Sequence, residues 1–269
     1  MRLVCALGLL LLGFVAESAN ALDGWAVYAD DGRVFRCAVD GKPKRLYKGS
    51  AEYACWSADG ARIFFMKRDG SIWVMGADGD DPRKLRDGKW TEFCPIGAYR
   101  PDGGYVLYVE GKKIYRVAAA DGARELIHSG SRSYKGEVAI SRDGKRLVAR
   151  TKTKLYRMRV GGKETRYAPR CSASISPNGK WLTRNPGDHR TTVLYTWDGE
   201  VHRKLKAPHR HDIDEQKFAV NSDDYIVYSF DERRAIGVMR VEDNHHIAIG
   251  DRQADYPDFF VGDLPARDR

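Results

Sequence analysis

Short apolar runs recur along the whole chain, separated by polar turns built on Asp-Gly. The clearest stretch is Trp56 to Leu85, WSADGARIFFMKRDGSIWVMGADGDDPRKL, which reads as one four-stranded unit. A strand ends at Trp56 and a turn follows at Ser57-Ala58-Asp59-Gly60. Ile63 to Met66 is a strong β run, and Arg68-Asp69-Gly70 turns into Ile72-Trp73-Val74-Met75. Asp78-Gly79 turns again, before a weaker strand opening at Arg83-Lys84-Leu85. Asp-Gly between β runs is a strong hairpin signal, because glycine accepts positive φ and aspartate tolerates it.

The unit repeats. An aliphatic-aromatic pair marks each third strand: Val34-Phe35, Ile72-Trp73, Ile114-Tyr115, Leu155-Tyr156 and Leu194-Tyr195, with a degenerate sixth copy at Ile236-Gly237. Their second positions are spaced by 38, 42, 41, 39 and 42 residues. The turn before each second strand repeats too: Ser57-Ala58-Asp59-Gly60, Arg100-Pro101-Asp102-Gly103, Ser141-Arg142-Asp143-Gly144, Ser176-Pro177-Asn178-Gly179 and Asn221-Ser222-Asp223-Asp224. A period near 40 with four β runs predicts propeller blades.

The ends fit the same scheme. Trp25 to Tyr28 matches a second strand, so the first strand of that blade is expected at the other terminus, at Tyr256 to Val261. The expected fold is all-β: a six-bladed β-propeller of four-stranded blades spanning 22–263, its ring closed by the C-terminal strand joining the N-terminal blade. Such closure removes exposed sheet edges. Residues 264–269 form a polar tail. Trp73, Tyr115, Tyr156 and Tyr195 are read as core between blades, and the Asp-Gly turns as turn geometry rather than calcium ligands.

Residues 1–21 stand apart. Arg2, the apolar Leu3 to Ala16 and Ala19-Asn20-Ala21 have the order of a secretory signal peptide cleaved after Ala21. The apolar run is shorter than a membrane span needs, and no later stretch is long enough. The expected location is therefore secreted or periplasmic, and nucleic acid is not an expected partner. Export also permits disulfides among Cys37, Cys55, Cys94 and Cys171, whose pairing the sequence leaves open beside buried free thiols. The net charge of +9 suits an anionic polysaccharide or envelope polymer, or simply a dispersed solvated surface.

The Ser-x-Asp-Gly turn, the Ile-Trp-Val-Met strand and the Asp-Gly before Arg-Lys-Leu resemble the TolB-type β-propeller repeat over nearly all of 22–263. TolB itself carries an α/β domain ahead of its propeller, for which this sequence has no counterpart. The repeat is also similar to that of oligogalacturonate lyases, for which the resemblance implies a histidine-ligated metal. It is similar again to prolyl-peptidase propellers, but the sequence has no Gly-x-Ser-x-Gly nucleophile elbow.

Candidate chemistry sits on the connections that share one propeller face. Pro208 to Glu215 is the richest, leading into an inner strand expected at Lys217 to Val220. His209 and His211 alternate and would point the same way, so with Asp212 they could ligate a divalent transition metal. His189 in the loop Asn185 to Thr191 could join them. Trp90 is the candidate exposed aromatic contact and Glu92 its acidic neighbour; Glu52, Tyr53, Lys135, Glu137 and Asp231 share the face. The adjacent Asp214 and Glu215 diverge and make a poor acid-base pair. The function expected is non-catalytic binding of an envelope protein or polymer by a monomer without cofactor. The alternative is a metal-assisted, lyase-like enzyme acting on an acidic polysaccharide.

Overall fold

The computed structural model describes residues 22–169, 172–208, 211–230, 235–250 and 254–265. The described residues form strands, bridges and turns, with no helix among them. Six strands lead the chain: β1 (Gly24–Asp30), β2 (Gly32–Ala38), β3 (Lys44–Trp56), β4 (Arg62–Lys67), β5 (Ile72–Gly76) and β6 (Arg83–Arg86). Next come β7 (Ile96–Ala98), β8 (Tyr105–Glu110), β9 (Lys113–Ala118) and β10 (Arg124–Ser129), which form a four-stranded sheet. A second such sheet holds β11 (Gly136–Ile140), β12 (Arg146–Arg150), β13 (Lys154–Arg159) and β14 (Glu164–Pro169). A three-stranded sheet follows, of β15 (Trp181–Arg184), β16 (Thr191–Thr196) and β17 (Val201–Lys206), extended by a lone bridge between Ile175 and Leu182. The last sheet holds β18 (Ile213–Phe218), β19 (Tyr225–Phe230), β20 (Ile236–Arg240) and β21 (His246–Ile249). The final strand, β22 (Asp255–Val261), pairs with β1, so it heads a seven-stranded sheet ordered β22-β1-β2-β3-β4-β5-β6.

The long strand β3 is two strands of the sequence repeat joined end to end. Gly49 and Ser50, at φ +150° and +60°, interrupt it in the middle. The two halves of this sheet consequently face each other: Val27, Ala29 and Val34 pack in one cluster with Trp56, Ile63, Phe65 and Met75. Each later sheet packs against the one before it. β4 and β5 meet β8 and β9 through Phe64, Met66, Ile72, Val106, Tyr108, Tyr115 and Val117. The last sheet meets the first, with Val227, Ile236 and Val238 against Ala26, Tyr28 and Phe35. Both faces of the middle strands are therefore buried, which is why β4 and β8 are apolar through consecutive positions rather than alternating.

The turns explain their own repetition. In Ser57-Ala58-Asp59-Gly60 the serine hydroxyl donates to Asp59 Oδ1 at 2.6 Å, and the same oxygen accepts from Ala61 N at 3.0 Å. Arg62 N then donates to Ser57 Oγ at 2.9 Å. Ser141 with Asp143, and Ser176 with Asn178, repeat the arrangement. The degenerate Ile236-Gly237 pair also has a cause. Gly237 lies opposite Tyr228, and a Cβ there would come within 2.1 Å of that tyrosine's ring. The aromatic has moved to the neighbouring strand.

Two expectations need correction. The strand expected from Lys217 begins at Ile213, because Ile213, Gln216 and Phe218 are buried; Asp214 and Glu215 lie in a bulge of β18 rather than in a loop. The fifth repeat lacks a full inner strand, having only the Ile175 bridge. Cys37, Cys55 and Cys94 are buried free thiols, while Cys171 and residues 1–21 lie outside the described residues.

Candidate functional site

The inner strands surround a narrow channel, and Arg100 fills its floor. In the repeat Arg100 occupies the position of the turn serine, and its guanidinium crosses the channel instead of closing the turn. It donates to the carbonyls of Val220 (3.1 Å), Ile140 (3.0 Å), Ile175 (2.8 Å) and Phe218 (3.2 Å). One side chain thus ties its own sheet to three others. Burial lowers its pKa to about 10, so it remains charged at neutral pH. Above it lies a cavity of about 20 Å³, with Cys55, Glu137, Ser174, Lys217 and Asp258 among its walls. That is room for little more than water. Asp258 from β22 accepts from Trp56 N at 2.9 Å.

Around the mouth, consecutive connections bond to one another. Tyr53 OH donates to Thr91 O at 2.9 Å, and Thr91 Oγ1 donates to Lys135 O at 2.9 Å. Glu137 Oε2 accepts from Ser172 N and Ala173 N at 2.8 and 2.9 Å, while its other oxygen pairs with Arg150. Arg150 lies 3.8 Å over the Phe93 ring. Glu215 accepts from Tyr256 N, and the Tyr256 ring meets Tyr53 edge-on at 5.4 Å.

Left-handed backbone concentrates at the same places. Ser50 (φ +60°), Glu137 (+47°), Ser172 (+70°), Glu215 (+58°) and Tyr256 (+54°) each stand at or just ahead of the inner run of their sheet. The pairing register shifts beside Glu137, Glu215 and Ser50. Such bulges re-aim side chains and are enriched beside binding sites. Their spacing follows the repeat, but their residue types do not single them out: two are serine, two glutamate and one tyrosine, and none is glycine.

The electrostatics of the mouth are unbalanced. Burial, then Asp255 and Asp214, push the Glu215 carboxyl well above the ordinary carboxylate range. Burial, then Glu52, Asp30 and Asp214, raise Asp255 as well. Lys217 is ringed by protein; burial alone would lower it, but the surrounding Cys94, Asp258 and Glu215 hold it above its usual value. Its ammonium donates to Tyr256 O at 3.2 Å.

The residues singled out by sequence divide into two groups. His189 Nδ1 comes within 3.7 Å of Asp214 Oδ2, and Ile213 N donates to His189 O, so the two histidine-bearing connections do meet. The His211 ring stands edge-on to Phe230 at 5.8 Å. Asp212 Oδ1 accepts from Arg190 Nε at 3.2 Å, and Asp214 Oδ1 from Asn185 Nδ2 at 3.1 Å, so both carboxylates already face nitrogen donors. His209 and Asp231 lie outside the described residues. Among the described residues, no three His, Cys, Asp or Glu side chains are grouped to hold a metal ion. Trp90 is 43% exposed in the connection before β7, with Glu92 two residues on. Sequence reading missed Arg100, although an arginine in place of a repeating serine was its signal.

Comparison with known proteins bears on the fold. No family model matches the chain, and no curated protein matches it in sequence. Among solved structures, TolB from Acinetobacter baumannii is similar with a TM-score of 0.67 at 16% identity, over 88% of this chain. The chain spans 66% of the length of that TolB. A chain of a nidogen/laminin complex is similar at TM-score 0.65 and 8% identity, over 88% of this chain and 98% of that one. Hsv2 from Kluyveromyces lactis follows at 0.52 and 11% identity, over 81% and 70%. No helix of the described residues is long and apolar enough to cross a membrane. Repeat, sheet order and structural likeness together make this chain an all-β protein with a β-propeller fold.

Proposed function

We propose that this chain is an exported, non-catalytic binding propeller of TolB-like architecture. Its six blades close into one ring, with the halves of β3 serving two blades and β22 completing the first. The packing of the last sheet on the first, and of the two halves of the seven-stranded sheet on each other, supports that count. The ligand is an envelope protein or polymer, taken up by the connections around the channel mouth.

One observation carries the binding reading: among the described residues, five of the nine left-handed, non-glycine residues stand at the starts of the inner runs. Each costs about 1–3 kcal/mol of backbone strain, which persists only where the surroundings fix it. That strain fixes Glu137, Glu215 and Tyr256 where they bond and pack against the neighbouring connections, so it holds the connections around the mouth in one arrangement. Function on a propeller belongs to such loops rather than to the fold.

The test is photocrosslinking of the full chain in envelope extract, with the photoprobe at Trp90 or Glu92 and, as control, at Val160 on the opposite face. A discrete adduct from the mouth positions alone is expected; equal labelling from Val160 overturns the reading. Elemental mass spectrometry of the purified chain is the second arm. A stoichiometric divalent metal, lost on His209→Ala with His211→Ala, would replace binding by the lyase-like alternative.

A further inference from the structure

Outside the channel mouth, a groove of about 500 Å³ runs between the two halves of the seven-stranded sheet. Its volume is in the range of small-ligand clefts. It is lined by Asp31, Gly32, Arg33, Arg45, Lys48, Gly49, Ser50, Glu52 and Arg68, so every lining residue is charged, glycine or serine.

The four cations come from two strands and one turn that the bend in β3 brings together. Arg33 and Lys48 are partners across the β2–β3 ladder, and Arg45 sits one turn of the pleat away. Arg68 follows β4 and reaches over from the other half of the sheet. Arg33 pairs with Asp31, and Arg68 with Glu52 at 2.7 Å. Among the described residues no carboxylate pairs with Arg45 or Lys48. The groove therefore gathers four cations against two acids, and the two acids are already used. A smaller hollow of about 260 Å³ adjoins it and shares Asp31, Gly32, Glu52 and Arg68. Its other walls are Ala29, Ala51, Asp30 and Asp255, so the charge that it adds is acidic and the sign of the field reverses toward the channel.

We propose that this groove is a binding site for an anionic glycan, a chain of sugar rings bearing carboxylate or phosphate groups. Arg45 and Lys48 take the anionic substituents, and Arg33 and Arg68 add charge-assisted hydrogen bonds. Asp31 and Glu52 are placed to accept from ring hydroxyls without releasing their arginines, because each carboxylate has further lone pairs. The absence of any aliphatic or aromatic side chain from the lining argues against an acidic peptide, whose apolar residues would find no pocket. The acidic hollow sets the inner limit of the site. This inference rests on the reading of the loop face as the ligand face and names the chemistry at its rim.

The experiment is fluorescence anisotropy of the full chain with four labelled probes: an alginate oligomer, a phosphorylated dextran, neutral dextran and polyglutamate. Binding of one anionic probe, absent for neutral dextran and weakened by added salt, is expected. Preference between the two tells carboxylate from phosphate. Arg45→Glu with Lys48→Glu should weaken that binding by at least about tenfold. Both side chains are exposed, and Arg45→Gln with Lys48→Gln should act in the same direction without reversing charge. Unchanged affinity in both variants overturns the groove while leaving a glycan-binding face elsewhere intact. Equal affinity for polyglutamate overturns the choice of glycan. No binding of any probe, with the mouth crosslinks still formed, overturns this inference alone; loss of both overturns the binding reading too.

Discussion

Asn221 and Val261 hold each other by two reciprocal hydrogen bonds. Asn221 Nδ2 donates to Val261 O at 2.8 Å, and Val261 N donates to Asn221 Oδ1 at 2.9 Å. Asn221 stands where three other repeats have serine or its equivalent, and it spends its side chain on the C-terminal strand rather than on its own turn. Val220 N adds a bond to Phe259 O at 2.8 Å. The last strand is therefore fastened on two sides, to β1 by its ladder and to the last sheet by Asn221.

Asn221→Ala removes both side-chain bonds and leaves Val261 with an unpaired backbone donor. The expected cost is about 1–3 kcal/mol. Because the loss falls on the closing strand, amide exchange should accelerate in Asp255–Val261 and Gly24–Asp30 before the other sheets. Uniform acceleration over all sheets would mean that the strand does not act as a separate fastening.

Gly60 reports on the same closure from another side. It sits at φ +71°, and a Cβ there would fall within 2.8 Å of the Phe260 ring. Gly60→Ala is expected to destabilise by about 1–3 kcal/mol through strain and displacement of that ring. Combining it with Asn221→Ala should give a non-additive loss, since both act on the same strand. Strict additivity in a denaturation cycle would separate the two effects.

Arg100 makes the strongest stability prediction. Arg100→Met leaves the carbonyls of Ile140, Ile175, Phe218 and Val220 facing one another in a site too small to hydrate all four. The expected loss is about 3 kcal/mol or more. Arg100→Lys should rescue little, because an ammonium on a flexible stem cannot reproduce the planar fork. Equal stability of the lysine variant and the parent would show that charge alone is needed at the channel floor.

These residues also mark how far the sequence could be read. Aliphatic-aromatic pairs and Asp-Gly turns expose the repeat because each is fixed by local geometry, and the strands lie where the pattern puts them except for the start of β18 and the inner strand of the fifth repeat. Terminal pairing was legible for the same reason: Trp25 to Tyr28 has the register of a second strand. The channel was not, because its side chains answer to distant partners. Arg100 and Asn221 differ from the repeat only by breaking it, and Glu137, Glu215 and Tyr256 gain their importance from backbone bulges that no residue type encodes. The cations of the groove are scattered from Arg33 to Arg68, and only the bend at Gly49 and Ser50 brings them together.

Glu215 predicts a pH dependence. Burial and its acidic neighbours raise its folded pKa well above 4.5, and Asp255 moves the same way from 3.8. In that window the folded state binds more protons than the unfolded chain, so stability falls as pH rises. Glu215→Gln keeps an oxygen to accept from Tyr256 N and removes the titration. Parent and variant should melt together below the ordinary carboxylate range, with the variant melting increasingly higher as pH rises to neutral. A constant offset between the two melting curves at every pH would mean that folding does not shift the Glu215 carboxyl at all.

Trp90 separates binding from stability. Its side chain is 43% exposed on the mouth-side connection, so Trp90→Ala should change folding stability by no more than about 0.5 kcal/mol. An aromatic on a binding rim contributes far more to a complex than to the fold, and truncating such a contact commonly costs about 2 kcal/mol of binding energy. Photocrosslinking from Glu92 gives the readout: in the Trp90→Ala background the adduct should fall sharply while the melting temperature stays that of the parent. Val160→Ser, an exposed apolar residue on the opposite face, should alter neither. An adduct undiminished without Trp90 would show that Trp90 lies outside the contact surface.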